Sequence, residues 1–496
     1  MSSVGNRWRR HIITLLAICL VALSVFKLEQ ARTGLEISHL SIGTTPATLY
    51  RAPDSTAPLV VIAHGFAGSR QFMEPFSLTL AQAGYQALAF DFEGHGRNPV
   101  PMSGDVTSID GTTAKLVTQT RRVIDAGLEL TGTGTQVVLL GHSMATDVII
   151  RAAQDDPRVA AIVAISMFSD AVDETYPDNL LMLTGAWEPW LRENPLRALR
   201  QIDPNAREGE TALSADIKRR AVVAPGVEHV GVLYSPTSLN EARDWINATF
   251  GREADGPVAA IGPWIGTLLI SLVILFRPIG RLLPQTQTRS APLSHKRFGA
   301  ALVAPALVAP ALASLLYTEF LPVLVADYLV IHLALYGVVQ LAVLRVPLRA
   351  IRNISLLGGA CLVIWGIGIF GLALDRYVAS FFPTENRLTL IAALTIGAVP
   401  FMIADAFVTE GGIGALWRRI AARISVFASL AIAVALDPED LAFVVTVFPM
   451  LILFFIVHGL MGRWVAARSG PATAGLGLGL VLAWVLGVSF PLFASG

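Results

Sequence analysis

Two patterns of apolar residues divide the chain. Between residues 35 and 250, short apolar runs alternate with stretches in which apolar residues recur every three or four positions. The runs "LVVIAH" (59–64), "YQALAFD" (85–91), "TQVVLLG" (135–141), "VAAIVAIS" (159–166), "NLLMLTG" (179–185) and "RAVVAPG" (220–226) predict buried strands. Helical spacing appears in "SRQFMEPFSLTLAQAG", which stops at Gly84, around 112–130, directly after Ser143, near 189–202 and over about 237–249. Strands alternating with helices predict an α/β fold: a mostly parallel sheet with helices on both faces.

Beyond residue 256 the pattern changes to nearly continuous apolar segments. A helix needs about 20 apolar residues to cross a bilayer. Eight such spans are predicted, near 257–276, 298–317, 320–344, 354–374, 388–408, 424–436, 441–461 and 473–494, making 256–496 an all-α transmembrane bundle. At the other end, "RWRRH" precedes an apolar run from Ile12 to Phe26, so residues 1–30 read as a signal-anchor or signal peptide. Threading the spans alternately places Arg7, Arg9, Arg10, Arg277, Arg281, Arg289, Lys296, Arg297, Arg345, Arg349, Arg352, Arg418, Arg419, Arg423, Arg463 and Arg468 on one side. The short loops on the other side carry only Arg376 and Arg387 as basic residues, with Asp375, Glu385, Asp437, Glu439 and Asp440 among their acids. Basic loops stay in the cytoplasm. The expectation is a multi-pass protein of a bacterial-type cytoplasmic (inner) membrane, with residues 35–250 outside the cytoplasm.

Composition agrees with this division. Of 496 residues, 53% are hydrophobic and only 15% charged, against about 25% charged in soluble chains. Formal net charge is zero and no basic stripe is interleaved with aromatics, so nucleic acid is not an expected partner. The two cysteines, Cys19 and Cys361, both lie in apolar segments. They can build neither a disulfide framework nor a cysteine zinc site. No cofactor or metal is expected, and protein partners are not readable.

Candidate chemistry begins at "LLGHSMATDVII", where Ser143 stands at an abrupt strand-to-helix turn. Such a turn lifts its side chain clear of both elements, and small residues two positions either side let strand and helix approach. Gly141-His142-Ser143-Met144-Ala145 matches the G-x-S-x-G nucleophile elbow with Ala in the last place. The pentapeptide alone fits an ordinary helix N-cap serine equally well. Four further motifs bear on the choice. "HGFAGS" (64–69) and the Gly-rich "DFEGHGRN" (91–98) each follow a strand. "LMLTGAWEP" sets Glu188 three residues after Gly185 at a strand end, and "GVEHVGVLYSP" sets His229 after the last strand. Asp170, near the end of the preceding strand, is the alternative acid.

Taken together, these motifs make residues 35–250 resemble the α/β-hydrolase fold superfamily. The domain departs from the common pattern at Ala145, at Asn98 where Ser is frequent, and at Glu188 where Asp is commoner. The resemblance implies a serine hydrolase that cleaves a carboxylic ester through an acyl-enzyme on Ser143. His229 acts as base, Glu188 orients it, and the backbone N–H groups of Phe66 and Met144 form the oxyanion hole. It does not separate esterase from thioesterase or peptidase. Hydrolase folds also host inactive binders, so the alternative is a transporter or membrane assembly protein that uses the domain for binding only. Many hydrolases of this fold cover the site with an insertion before the acid; here only "MFSDAVDETYPDN" separates the two strands. The membrane is then expected to stand in for the cap, with a lipid or acylated ester as substrate and membrane lipids as partners.

Polar residues inside the spans are the remaining candidates, because burying them in lipid is costly. Asp327 falls about 11 Å into the span that begins at 320. Tyr328 and His332 share a helix face, and Asp405 and His458 are placed to pair across two spans. Cys361 reads as core packing.

Overall fold

The structure, a computed structural model, describes residues 3–105, 108–132, 136–285, 293–318, 320–321, 323 and 325–494. The chain forms two compact units. One comprises residues 24–266 together with Asp375–Ser380 and Pro491–Gly496; the other comprises 1–23, 267–374 and 381–490.

The first unit is built on a nine-stranded sheet: β1 (Glu36–Ile42), β2 (Thr45–Arg51), β3 (Leu59–Ala63), β4 (Gln86–Phe90), β5 (Val137–His142), β6 (Val159–Ile165), β7 (Asn179–Gly185), β8 (Thr211–Ser214) and β9 (Ile217–Ala224). Their spatial order is β1-β2-β4-β3-β5-β6-β7-β9-β8. The six strands from β4 to β9 in that order run parallel, while β1, β2 and β8 pair antiparallel at the two edges. Every residue of β3, β4 and β5 is buried, as required of central strands covered on both faces. This is why they read as unbroken apolar runs. The hairpin β1–β2 was not foreseen. β1 is exposed or half-exposed along its whole length, so "EISHLSI" carries no apolar run to betray it. Gly43, at a φ of 58°, makes the turn into β2.

The second unit is helical. Among the described residues, nine helices are long and apolar enough to cross a membrane: Trp8–Gln30, Gly262–Leu282, His295–Leu316, Ala326–Leu344, Leu356–Tyr377, Glu385–Val408, Leu416–Leu436, Pro438–Ser469 and Pro471–Ser489. Several details differ from expectation. The helix expected over 424–436 starts at Leu416, because the Arg- and Ala-rich segment before the apolar stretch is itself a good helix former. Asp327 is not deep in a span. Its helix starts at Ala326, and the carboxylate accepts the Phe320 N–H at 3.2 Å in the first turn. Asp405 pairs with Arg423 instead of His458, whose ring stacks on Phe454 at 5.0 Å. A guanidinium is the stronger partner because it is always charged and binds both carboxylate oxygens. Tyr328 and His332 do meet, at 3.2 Å, and the far side of the imidazole reaches Ser429 at 3.0 Å. Arg387 sits within a helix, not a loop. Buried, it donates to the carbonyls of Gly487 and Phe490, satisfying the carbonyls left unpaired at a helix C-terminus.

Candidate active site

The carboxyl ends of β5, β7 and β9 bring three predicted residues together. Ser143 follows β5 and has φ 54° and ψ −120°, a strained conformation for a residue with a side chain. It is fixed from both sides: its N–H donates to Ile165 O at 2.8 Å, and helix Met144–Ala153 starts at the next residue. The closeness of strand and helix explains Gly141. A Cβ there would lie 2.9 Å from Ile149 Cδ1 and 3.0 Å from the Ala145 carbonyl oxygen. Ala145 is fully buried, so a small residue is needed but glycine is not. The Ser143 side chain makes no capping bond to the helix. It points to His229, with Oγ 2.9 Å from Nε2.

On its other side the His229 ring meets Glu188, Nδ1 to Oε1 at 2.5 Å. Glu188 is 2% exposed. Its second oxygen accepts the Gly185 N–H at 2.6 Å and the Ser166 hydroxyl at 2.9 Å. Burial pushes this carboxyl up, but the hydrogen bonds from His229, Gly185 and Ser166, with the charge on His229, outweigh it and hold the pKa below the ordinary value. Gly185 has no room for a side chain, since a Cβ would lie 2.6 Å from Val227 O and 2.9 Å from Glu188 Oε2. The loop after β9 is clamped in turn. Trp187 N–H donates to Val227 O at 3.0 Å, and the Glu228 carboxylate accepts the N–H groups of Val230 and Gly231 at 2.7 and 2.8 Å. Asp170 does not join the site; it is exposed on the loop after β6, and the His229 ring faces Glu188.

Phe66 and Met144 flank the serine. A Cβ on Gly65 would touch Ser143 Cβ at 3.0 Å, so the 64–69 loop lies against the elbow. Met144 is the first residue of its helix, where N–H groups have no carbonyl partner within the helix. Asn98 ties its own loop: Nδ2 donates to Asp91 O at 3.0 Å and Oδ1 accepts Val100 N–H at 3.0 Å.

Sequence reading missed three residues that hold this arrangement. Ser166 supports the acid; its only sequence signal is a hydroxyl at a strand end. His142 reaches back to the histidine loop, its Nε2–H donating to His229 O at 2.9 Å. Burial, then the charge on His229, push its pKa down to about 3, so the ring stays neutral and the tautomer is set by that bond. His64 is likewise neutral, pushed down to about 4 by burial. Its Nδ1–H donates to Gly65 O at 2.8 Å and its Nε2 accepts Phe92 N–H at 3.1 Å, joining the loops that follow β3 and β4.

A strained serine after the central strand of a parallel sheet, with an acid and a histidine on later strand ends, is one observation. The comparison with known families is the second: residues 54–222 match the family described as serine aminopeptidase, S33. This is an α/β-hydrolase domain. A curated relative, an uncharacterized 31.7 kDa protein in the traX-finO intergenic region of Escherichia coli, is 29% identical over 135 residues, 25% of this chain. The chain spans only 43% of that relative's length. Among solved structures, the hydrolase domain is similar to dienelactone hydrolase from Anabaena variabilis (17% identity, TM-score 0.34, covering 43% of this chain and 98% of that one). It is also similar to a soluble variant of monoglyceride lipase from Saccharomyces cerevisiae (13% identity, TM-score 0.32, covering 44% and 96%).

Proposed function

We propose that this protein is a membrane-bound serine hydrolase that cleaves the carboxylic ester of a lipid or other acylated molecule. The reading rests on the unbroken line Ser143 Oγ–His229–Glu188, at 2.9 and 2.5 Å. A serine hydroxyl is a weak nucleophile, and an imidazole at hydrogen-bond distance removes its proton as it attacks. Ser143 Oγ bonds to the ester carbon while its proton passes to His229 Nε2. The carbonyl oxygen gains the negative charge and receives the N–H groups of Phe66 and Met144. His229 then returns the proton to the departing alkoxide, and the alcohol leaves an acyl-Ser143. Water, deprotonated by the same imidazole, releases the acid. Throughout, the ionised Glu188 stabilises the imidazolium and fixes its Nδ1 proton. Fluorophosphonate labelling of the wild type beside Ser143→Ala tests the assignment.

Exposed apolar side chains near the acid and the histidine support an acylated substrate. Phe168, Trp187, Trp190 and Val230 are 62%, 66%, 74% and 41% exposed. Two of them flank Glu188 in sequence and one follows His229. Between β6 and β7 only residues 166–178 intervene, too few for a separate cap. Water must be partly excluded if the oxyanion donors are to act strongly, and a bilayer surface or an acyl chain laid on these residues does that.

Ser166 supplies one of the three hydrogen bonds on Glu188. Its loss by Ser166→Ala should lower kcat roughly three- to tenfold, the worth of one buried hydrogen bond. An unchanged kcat would mean that the acid is positioned without it.

Loop charges support the reading that the hydrolase domain lies outside the cytoplasm. In a background lacking Cys19 and Cys361, cysteines at the exposed positions Asn205 and Ser214 should react with an impermeant thiol reagent in intact cells. A cysteine at exposed Leu348, between two spans, should react only after lysis. The opposite pattern inverts the topology.

A further inference from the structure

The loops on the oxyanion side of the site do not stand alone. The turn after β3 and the loop after β4 are cross-linked by the fully buried Asp91, which accepts the Arg70 and Arg97 N–H groups at 2.8 and 2.9 Å and pairs with the Arg70 guanidinium. A Cβ on Gly96 would lie within 2.6 Å of both Asp91 oxygens. Against this knot lies a segment far away in sequence, Asp375–Ser380, which belongs to the same compact unit. Ser380 N–H donates to Ser69 Oγ at 3.1 Å, and Ser380 Oγ donates to Gln71 Oε1 at 3.1 Å. Asp375 takes Arg97 Nη2 on both of its oxygens at 2.9 and 2.7 Å. Ser69 is 2% exposed and Ser380 9%, so the Ser380–Ser69 bond is largely shielded from water, whereas the Arg97–Asp375 pair is partly open to it. Residues 491–494 add a second brace. Leu492 N–H donates to Gly94 O at 2.9 Å, Met102 N–H to Leu492 O at 2.7 Å, and Ala494 N–H to Met102 O at 2.7 Å. The approach is so close that a Cβ on Gly94 would lie 2.5 Å from Leu492 O.

We infer that Asp375–Ser380 is a positioning segment for the oxyanion hole, rigidly setting the 64–71 loop that carries Phe66. This rests on the serine-hydrolase reading above. Asp375 takes Arg97, whose N–H is held by Asp91, and Ser380 reaches Ser69 and Gln71, in the same loop that carries Phe66. These bonds end on Arg97, Ser69 and Gln71 and not on Ser143 or His229, so the segment acts through the loops. Oxyanion donors work only when they are aimed beforehand at the developing charge, and small displacements of such groups are costly in rate. The connection between helices Leu356–Tyr377 and Glu385–Val408 is thereby part of what tunes the hydrolase. Its neighbour Arg376 pairs with Glu29 at 3.0 Å, and Tyr377 donates to the same carboxylate at 2.8 Å, so the segment is itself anchored.

The test uses the full chain in nanodiscs, with wild type, Asp375→Asn, Asp375→Glu, Arg97→Gln, Ser69→Ala and the Asp375→Asn/Arg97→Gln double variant. Readouts are kcat and KM on a short-chain ester and the Ki of a trifluoromethyl ketone, which binds as the tetrahedral adduct. Asp375→Asn, Arg97→Gln and Ser69→Ala should each lower kcat about three- to tenfold, the range for one hydrogen bond, with KM within twofold of wild type. The ketone Ki should rise by the same factor. Asp375→Glu should restore most of the loss, and the double variant should be no worse than the worse single variant, because both remove one interaction. Unchanged ketone affinity in variants with a lowered melting temperature makes the segment structural only and overturns the proposal; a raised KM at constant kcat also overturns it. A wild type that does not label with fluorophosphonate sinks the serine-hydrolase reading itself. A labelling wild type with variants that match it in kcat and Ki sinks the brace alone.

Discussion

Ser143→Ala should give a folded protein that fluorophosphonate no longer labels and that has lost ester hydrolysis by at least about 10⁴-fold. The size follows from what the hydroxyl does. His229 Nε2 lies 2.9 Å from Ser143 Oγ, and a methyl group in its place can neither give up a proton nor form the acyl-enzyme. What remains is the binding and oxyanion stabilisation of a directly attacking water, and these alone give far slower turnover. Folding should survive, because Ser143 Oγ makes its hydrogen bond to His229 and none to the elbow. Elbow strain lies in the backbone at φ 54°, and alanine occupies that conformation no worse than serine. Labelling, turnover and melting temperature measured on one preparation check the claim. Turnover at the wild-type level in this variant removes Ser143 from the chemistry.

Glu188→Gln should lower kcat by about 10²- to 10⁴-fold, while Asp170→Asn should change it by less than about twofold. Glutamine keeps the volume of the side chain and presents one amide oxygen and one NH2. Oε2 now accepts from Gly185 N–H and Ser166, so the amide oxygen is drawn to that side and the NH2 turns toward His229 Nδ1. Two donors cannot face each other, and the imidazole must carry its proton on Nε2, where it no longer accepts from Ser143. Lost, too, is the negative charge that stabilises the imidazolium. Asp170 is exposed, so its charge is screened by solvent. Steady-state kcat for the two variants decides; a larger effect from Asp170→Asn would move the acid there.

Much of this arrangement is legible in the sequence because it is local. Buried parallel strands are apolar on both faces, so β3, β4 and β5 stand out as runs. The elbow needs small residues at fixed offsets, so Ser143 carries its own signature, and chain order then isolates Glu188 and His229. Other parts leave no local trace. β1 is exposed on an edge, and its pairing partner supplies the burial that defines the hairpin. Ser166 and His142 work through hydrogen bonds to residues 22 and 87 positions away, which no periodicity encodes. Asp405 and His458 share the right depth and charge, yet Arg423 wins the carboxylate because a neighbouring helix presents a permanent cation. Most hidden of all are Asp375–Ser380 and the residues after Pro491: the first reads as a loop of the bundle and the second as the end of the span predicted over 473–494, although the helix stops at Ser489 and both belong to the hydrolase unit.

That interrupted membership has a consequence in time. Synthesis runs from the N-terminus, so the sheet with its serine, histidine and glutamate leaves the ribosome before residues 375–380 and 491–494 have been made. At about 5–20 residues per second, the stretch from Gly266 to Ala494 takes on the order of ten to fifty seconds. During that interval the growing chain holds Ser143, the proposed nucleophile, beside loops that still lack their braces. Under the proposed role of those braces, the hydrolase domain matures only after its later helices have been translated, and its activity is kept weak while the rest of the chain is being inserted.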